Sequence, residues 1–489
     1  MTSPVISRAT IFSPTRKQFA DLLAATTVVV YAVIATGAAV ASTNAAGAPA
    51  WPLSGGSWES LLSGSTALVL GHQFLTVVAG VLLFLSLVAV WYVDVRRTVR
   101  LTVTAGAVLF PLQSGIGALL VLDGVTVASQ LHLAVAGGIF VCLLVALGWT
   151  LEQRPTERER SQRTEQPGSS QQSRTPASRA ELTKSDFEDE PSVQSTGERN
   201  GRVATATAYL ELTKPRLMWL LCLLALAGMA LATTTGSSLN GVTVVATLAG
   251  GVLAIGASGT FNHVIERDRD RKMARTADRP VATDRIPKSN AAVFGLILAA
   301  LSMAVLVTVV NLVAAALTLL AIVYYSVIYT VVLKPNTTWN IAIGGGAGAL
   351  PAVIGWAAVT GSVGLPALVL AGIVVVWTPA HFYNLAIVYR DDYARAGYPM
   401  YPVVSGVSAT RRRILLLLGA TLLASAALSL VTPLGVVFAL STVLAGAVFL
   451  GAAVAQCRLR TDGATLRTFH ASNAYLGVVL LAIVVEALL

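Results

Sequence analysis

Charged residues are scarce in this chain of 489 residues: Lys, Arg, Asp and Glu together make up 12%, against roughly 25% in ordinary soluble domains. This scarcity excludes a soluble globular enzyme. Cysteine is scarcer still, because only Cys142, Cys222 and Cys457 are present, far apart and without a CxxC pair. Their spacing argues against a disulfide scaffold and against a cysteine-bound zinc or iron–sulfur site.

Long apolar runs fill most of the sequence, 55% of which is hydrophobic. A run of about 20 apolar residues can cross a hydrocarbon core about 30 Å thick. The runs predict an all-α polytopic membrane protein, with a four-helix bundle followed by a nine-helix bundle. The predicted spans are 18–43, 67–92, 101–121, 127–150, 215–235, 241–264, 290–310, 312–333, 338–360, 364–386, 413–432, 434–456 and 468–488.

The distribution of Lys and Arg supports this topology. All 34 lie before the first span or in alternate loops, whereas the opposite loops contain none. Because positive residues are retained on the cytoplasmic side, the pattern predicts a multi-pass protein of the cell membrane, with its N-terminus cytoplasmic. The net charge of +10 is then a consequence of topology, and it calls for no nucleic-acid partner.

A polar stretch separates the two groups of spans. Residues 152–200 hold 18 of the 58 charged residues and few sizeable apolar side chains. Such a segment cannot bury enough surface to offset the entropy cost of ordering it. We therefore predict three parts: a four-helix membrane domain over 1–150, a disordered cytoplasmic linker over 151–205 and a nine-helix domain over 206–489.

Acidic and basic residues are concentrated in a loop that follows the second span of the nine-helix domain. Asn262, Glu266 and Asp270 are four residues apart, so on a continued helix their oxygens share one side and can bind a hard cation such as Mg²⁺. Cationic side chains that could hold a diphosphate follow directly: Lys272, Arg275 and Arg279. The alternative is a solvated loop that only sets the topology, but such a loop needs no interleaved carboxylates.

A second polar loop on the same side of the membrane contains Asp391 and Asp392, and Lys334 lies in a third cluster together with Tyr325 and Tyr329. Asp391 and Asp392 could supply a second pair of metal ligands. Two acidic motifs at one end of an apolar bundle indicate ionisation of an allylic diphosphate, with a hydrophobic cavity for the prenyl chain and aromatic faces to shelter a carbocation.

Several motifs resemble a known family. LTKPR at 212–216, the NxxxExxxD loop with DRKMARTADRP, LKPNTTWNIAIGGGAGALP at 333–351, and WTPAHF with YRDDYARAGYPM are similar to the protoheme IX farnesyltransferase (heme O synthase) branch of the intramembrane UbiA prenyltransferases. The resemblance covers about 205–489. It implies transfer of a farnesyl group from farnesyl diphosphate to a vinyl group of heme b, giving heme O for a terminal oxidase.

The same resemblance implies roles for individual residues. Asn262, Glu266 and Asp270 would bind Mg²⁺-diphosphate, although Glu266 stands where the family usually has Asp. Asp391 or Asp392 would help, and Lys272, Arg275, Arg279 and Lys334 would hold phosphate charge. Recognition of heme needs a further feature, for which His381 is the candidate, as an iron ligand or a propionate contact. The alternative is that His381 only hydrogen-bonds within the fold.

The N-terminal helices contain two histidines, His72 and His132, at one depth of the membrane, and neutral imidazoles across a four-helix bundle can ligate heme. The alternative is two buried structural histidines. STNAAGAPAWPLSGG, GHQFLTVVAG and QLHLAVAGG resemble one four-helix half of heme A synthase. Since Val69 and Gln73 replace the family's usual Glu and Arg, the resemblance implies heme binding or handover to a heme A synthase or terminal oxidase partner.

Two other functions stay open at this point. A UbiA-type prenyltransferase could act instead on a quinone or lipid acceptor, which failure to bind heme would favour. A protein of a different class, either a transporter or a non-catalytic membrane heme-binding protein, would show no Mg²⁺-dependent release of diphosphate. Charges gathered at one membrane boundary favour chemistry at that boundary over transport.

Overall fold

The computed structural model describes residues 14–42, 64–123, 126–152 and 200–488, and the regular elements within these ranges are helices. The long helices are α1 (Arg16–Ser42), α2 (Gly64–Ala89), α3 (Arg97–Asp123), α4 (Thr126–Leu151), α5 (Asn200–Leu212), α6 (Met218–Thr233), α7 (Gly241–Asp270), α8 (Lys288–Val305), α9 (Leu312–Val323), α10 (Asn340–Thr360), α11 (Leu365–Val388), α12 (Val407–Val431), α13 (Val436–Leu459) and α14 (Asp462–Leu488). Shorter turns are described with the site.

Thirteen helical segments among the described residues are long and apolar enough to cross a membrane: they are the long helices other than α5, with α9 counted together with the helical turns that continue it to Asn336. The prediction of an all-α polytopic membrane protein is therefore confirmed. Three helices extend about six residues past the predicted bounds: α7 continues to Asp270 instead of ending at 264, and α12 and α14 begin at Val407 and Asp462 instead of 413 and 468. Hydropathy marks the apolar part of a helix, whereas the backbone hydrogen bonds of α7 continue into the polar sequence beyond it.

The predicted linker over 151–205 lies mostly outside the described residues. Its first two residues, Leu151 and Glu152, are buried at the end of α4. Its last residues, from Asn200 onward, belong to α5. Of the described residues, 200–208 belong to a second unit, and the others belong to the first.

The first four helices pack as two hairpins, α1 with α2 and α3 with α4. Helices α1 and α4 also pack against α12, and α1 packs against α13. One apolar core runs through these contacts, with Phe19 and Phe140 from the first four helices and Leu415 and Phe449 from the later ones. The described membrane helices thus form one compact unit, and the division into domains of four and nine helices stays a prediction.

Helices α6 and α10 approach each other closely through glycine. A Cβ atom at Gly228 of α6 would lie 2.1 Å from the carbonyl oxygen of Ala352, and one at Gly355 of α10 would lie 2.0 Å from the carbonyl oxygen of Ala225. Small residues let the backbones of membrane helices touch in this way. Because the obstructing atoms are backbone, a side chain at either position must push the helices apart.

We therefore expect Gly355→Ala to destabilise the protein by about 1–3 kcal/mol, the usual cost of overpacking a well-packed contact. The matched control is Gly348→Ala in the same helix, since a Cβ there meets nothing within 4 Å. Thermal unfolding in detergent measures both variants. Equal melting temperatures for Gly355→Ala and Gly348→Ala would show that α6 and α10 separate without cost.

Candidate active site

The C-terminal end of α7 carries a row of buried polar side chains. Asn262, Glu266 and Asp270 are spaced by one turn each and are 2%, 3% and 1% exposed. This spacing places them on one face of the helix, as the sequence predicts. Buried polar groups must be paired, so the partners of this row define the site.

Each member of the row meets a cation from a different segment. Lys214 donates from Nζ to Oδ1 of Asn262 at 2.5 Å, and Lys334 donates from Nζ to Oε1 of Glu266 at 2.5 Å. Arg279 donates from Nη1 to both carboxylate oxygens of Asp270, at 2.9 and 2.8 Å. The structure thus brings six sequence-predicted or motif residues together at one end of the bundle, with Asn262 at the deep end.

Lys214 is the site residue to which the sequence reasoning gave no role. It follows α5 in the left-handed backbone region, with φ of 54°, and its ammonium also donates to the Tyr325 hydroxyl at 3.3 Å. The chain can approach α7 here because residue 259 is glycine: a Cβ there would lie 2.8 Å from the carbonyl oxygen of Leu212. Burial, with Arg279 and Lys334 nearby, lowers the pKa of Lys214 to about 7.

The segment after α9 continues as a wide π-helix over Tyr324–Leu333 and ends in a short turn at Lys334. It orients Tyr325 and Tyr329 with ring centroids 5.6 Å apart. Gly344 on α10 admits the Tyr329 ring, since a Cβ there would lie 2.3 Å from it. π-Helical segments are frequent at functional sites, and this one combines aromatic faces with a cation.

The second acidic loop follows α11 and includes the short helix Arg390–Arg395. Its two carboxylates differ. Asp392 is buried, accepts from the backbone N–H of Arg275 at 3.2 Å and pairs with Arg395, whereas the side chain of Asp391 is 62% exposed. Asp392 therefore contacts the first acidic loop, the one that follows α7, directly.

Tyr398, further along the second loop, also reaches the polar row. Its hydroxyl donates to Oε1 of Glu266 at 3.1 Å, and the ammonium of Lys334 lies 4.7 Å from its ring centroid. Glu266 is thereby held by a cation and a phenol. Tyr398 was quoted as part of a motif, but no sequence signal set it apart as a partner of Glu266.

The basic residues of the first loop fall into groups with different contacts. Arg267 and Arg271, one turn apart on α7 and just after it, pair with opposite oxygens of Asp284 at 2.5 and 2.6 Å. They also donate to the backbone carbonyls of Val281 and Ala282. These bonds hold the loop that carries Arg275 and Arg279, and they keep the pKa of Asp284 below its usual value.

Two further predicted phosphate ligands lie nearer the surface. The guanidinium of Arg275 stacks on Tyr389 at 4.7 Å and donates to the Tyr393 hydroxyl at 3.3 Å. Lys272 is exposed on the turn after α7. Among the described residues no three His, Cys, Asp or Glu side chains converge on one point. The oxygen donors still suit Mg²⁺, which often takes only one or two carboxylates and completes its shell with phosphate oxygens.

His381 lies in a tightly packed environment on α11. Its ring stacks between Trp377 and Phe469, with centroids 4.4 and 4.2 Å away. Its Nδ1 hydrogen-bonds with the Ser472 hydroxyl at 2.5 Å. These contacts cover both ring faces and one nitrogen, which favours the alternative of a structural histidine. Heme binding at His381 stays a prediction without support from this geometry.

His72 and His132 occupy equivalent places in the two N-terminal hairpins. Each ring lies against a glycine of the preceding helix: a Cβ at Gly37 or at Gly117 would come within 2.9 Å of the facing histidine. Nδ1 of His72 hydrogen-bonds with the Thr36 hydroxyl at 3.2 Å, whereas Nδ1 of His132 is buried without a hydrogen-bond partner in the described part of the chain.

Comparison with known proteins gives a consistent picture. The model of the UbiA prenyltransferase family matches residues 221–477. Protoheme IX farnesyltransferase 2 of Natronomonas pharaonis is 50% identical over 472 residues, 96% of this chain and 99% of that protein. Protoheme IX farnesyltransferase of Halobacterium salinarum is 46% identical over 479 residues, 97% and 99% of the two chains. The solved structure of a UbiA homolog from Aeropyrum pernix K1 aligns with a TM-score of 0.47 at 18% identity, covering 55% of this chain and 96% of that one.

Asp284, with its partners Arg267 and Arg271, forms a clamp that holds the first loop, and mutation of Asp284 tests it. We expect Asp284→Ala to speed backbone hydrogen exchange over 275–286, because Arg267 and Arg271 lose their shared acceptor and Ala tolerates the left-handed φ of 60° poorly. Asp284→Asn should fall between Ala and the unchanged protein, since Asn keeps the acceptor oxygen and tolerates that φ.

The control for the clamp is Asp268→Ala, which removes an exposed carboxylate from the same end of α7. Exchange that rises as much in Asp268→Ala as in Asp284→Ala would mean that general charge, rather than the clamp, holds the loop.

Proposed function

Because this chain belongs to the UbiA prenyltransferase family, we propose that it transfers the farnesyl group of farnesyl diphosphate to a vinyl group of heme b. The C1–O bond of the diphosphate breaks, a C–C bond forms to one vinyl carbon, and water supplies the hydroxyl of the other. The products are heme O and diphosphate. The observation that carries this proposal is the buried row of Asn262, Glu266 and Asp270, each paired with a cation from another segment.

The row suits a Mg²⁺-diphosphate because the ligand could replace the present partners on both sides: the metal would replace the cations, and the phosphates would replace the oxygens of the row. Asn262, Glu266 and Asp270 would give oxygen ligands to Mg²⁺, with Asp392 as the nearest carboxylate of the second loop. Bound Mg²⁺ neutralises the charge that develops on the leaving diphosphate. Lys214, Lys334 and Arg279, now paired with the row, would then hold phosphate oxygens, and their cations outnumber the two carboxylates of the row.

Aromatic side chains beside the row suit an allylic cation. Tyr325 and Tyr329 lie next to Asn262 through the Lys214 and Thr330 hydrogen bonds. Ring faces attract cations most strongly where water is excluded. We assign these rings to the shelter of the farnesyl carbocation between C–O cleavage and C–C formation, with Lys272 and Arg275 guiding diphosphate to the site from the exposed loop.

The contacts of the site constrain the identity of the acceptor less than they constrain the diphosphate. The relatives named above are protoheme IX farnesyltransferases, and this supports heme b as the acceptor. The packed environment of His381 adds no independent support for heme. The second candidate is therefore a UbiA-type transferase with a quinone or lipid acceptor, which has the same diphosphate site.

The distribution of charge supports a location in the cell membrane with the site, the N-terminus and the linker on the cytoplasmic side. All the cations of the site belong to the segments that positive-inside topology retains there. The product would pass to a terminal oxidase, or first to a heme A synthase. A three-part organisation, with 1–150 as a four-helix module, is supported by the family match, which falls wholly within 206–489.

We propose in addition that the N-terminal helices bind heme through His72 and His132. The support is their equivalent placement against Gly37 and Gly117, and the unpartnered Nδ1 of His132. Neutral imidazoles from facing helices are suitable axial ligands for heme iron. The site would hold heme close to the transferase.

The transferase proposal predicts the fate of Asp270→Ala. Incubated with heme b, farnesyl diphosphate and Mg²⁺, the detergent-solubilised protein should yield heme O by mass spectrometry of extracted hemes. Asp270→Ala should lose at least about 100-fold of this rate, because a metal ligand and the partner of Arg279 are both removed. Asp391→Ala, which alters an exposed carboxylate, is the control and should stay near full rate.

The outcomes separate the two acceptors. Diphosphate release with unmodified heme would replace heme by a quinone or lipid acceptor, to be tried next. Full activity of Asp270→Ala would end the metal-diphosphate assignment.

The heme-binding proposal predicts that the full chain takes up heme with a low-spin, two-histidine absorption spectrum. Either His72→Ala or His132→Ala should abolish that spectrum while heme O formation continues. His470→Ala, on an exposed histidine, is the control. A spectrum unchanged in both variants would make the two histidines structural.

A further inference from the structure

The start of α12 carries three consecutive arginines, Arg411, Arg412 and Arg413, whose contacts lie in two directions. Arg411 and Arg412 contact the end of α4, in the N-terminal helices. Arg413 contacts the second acidic loop and the residue before α10. One helical turn thus joins the N-terminal helices to the loop that approaches Glu266.

The contact with α4 is buried and charged. Glu152, at the end of α4, has a side chain only 1% exposed, with Arg411 at 3.8 Å and Arg460 at 3.9 Å. The Ser408 hydroxyl donates to Oε2 of Glu152, the oxygen nearest Arg460, whereas Arg411 lies nearest Oε1. Beside it the guanidinium of Arg412 lies 4.2 Å from the ring centroid of Trp149. A carboxylate this deeply buried fixes its partners, because moving them would leave a charge uncompensated.

The contact with the second loop is a stacked one. The guanidinium of Arg413 lies 4.1 Å from the ring centroid of Trp339 and 4.4 Å from that of Tyr401. Tyr401 packs against the core cluster that contains Tyr398. Three residues before Tyr401, Tyr398 donates its hydroxyl to Glu266.

We infer that Glu152 and Arg413 are positioning residues, through which the N-terminal helices set the place of the second loop over the polar row. Glu152 fixes the start of α12 through the Ser408 hydrogen bond and the Arg411 ion pair. Arg413, two residues on, fixes Tyr401 and with it the Tyr398 hydroxyl on Glu266. The N-terminal helices are on this account part of the support of the transferase site, whether or not they bind heme. The kinetic part of this inference rests on the proposed function.

Another ion pair between the N-terminal helices and the later ones serves as a comparison, because it does not continue to the second loop. Asp21 of α1 pairs with Arg458 of α13 at 2.6 Å, and that carboxylate is 53% exposed. Neither residue contacts the second loop in the described structure. Asp21→Asn therefore weakens the boundary without touching α12, and it serves as the matched control.

The experiment uses the full chain and measures two quantities. Hydrogen exchange over 396–404 should rise in Glu152→Gln and in Arg413→Gln, and stay unchanged in Asp21→Asn. The KM for farnesyl diphosphate should rise about tenfold in the first two variants, while the KM for heme b stays within about twofold. A general loss of folded protein would lower kcat alone and leave this split absent.

Two further variants guard against misfolding. Glu152→Gln with Arg411→Gln removes both buried charges, so it should fold better than Glu152→Gln alone, yet it should keep the fast exchange over 396–404 and the raised KM. Arg413→Lys keeps the charge but loses the planar stack, and should match Arg413→Gln.

Exchange over 396–404 that stays at the level of the unchanged protein in both Glu152→Gln and Arg413→Gln would overturn the inference without any reference to activity. If the protein without substitutions makes no heme O, that result counts against the proposed function. Hydrogen exchange over 396–404 alone then decides whether Glu152 and Arg413 position the second loop.

Discussion

The pairing of three cations with the polar row of α7 is the interaction on which the rest of the site depends. Asn262, Glu266 and Asp270 are nearly inaccessible to water, so each needs a partner inside the protein. The partners come from before α6, from the end of the π-helix and from the first loop. One row of side chains therefore ties together segments separated by more than 100 residues, and it sets the end of the bundle at which chemistry can occur.

This constraint explains features that are otherwise costly. Lys214 and Asp284 adopt left-handed backbone conformations without being glycine. Lys214 does so to bring its ammonium to Asn262, and Asp284 does so to serve two arginines at once. Strain of this kind persists only where surrounding contacts determine the backbone. Here those contacts are the hydrogen bond between Lys214 and Asn262 and the ion pairs of Asp284, which hold the segments that carry the cations paired with the row.

The sequence predicted the parts of the site that follow from local periodicity. Spacing by four placed Asn262, Glu266 and Asp270 on one face because helical geometry fixes that relation. It could not pair Lys214 with Asn262, because the contact depends on the backbone approach that Gly259 permits. Nor could it separate Asp391 from Asp392, since adjacent residues differ only in which side of a short helix meets the first loop. Glu152 was grouped with the polar linker because its arginine partners are more than 250 residues away.

Buried polar contacts between distant segments specify one arrangement of the helices more strongly than contacts exposed to water do. In water an exposed ion pair contributes little, because solvent competes for both charges. At the rim of this bundle Glu152 and Glu266 are both buried, and each holds its partners in a particular geometry. The start of α12 contacts Glu152 directly, and its Arg413 stacks on Tyr401 of the loop whose Tyr398 donates to Glu266. A chain that places its few charges in this way couples the packing of its two groups of helices to the support of its active site, because Glu152 has its arginine partners, Arg411 and Arg460, in the later segments and α12 also contacts the second loop.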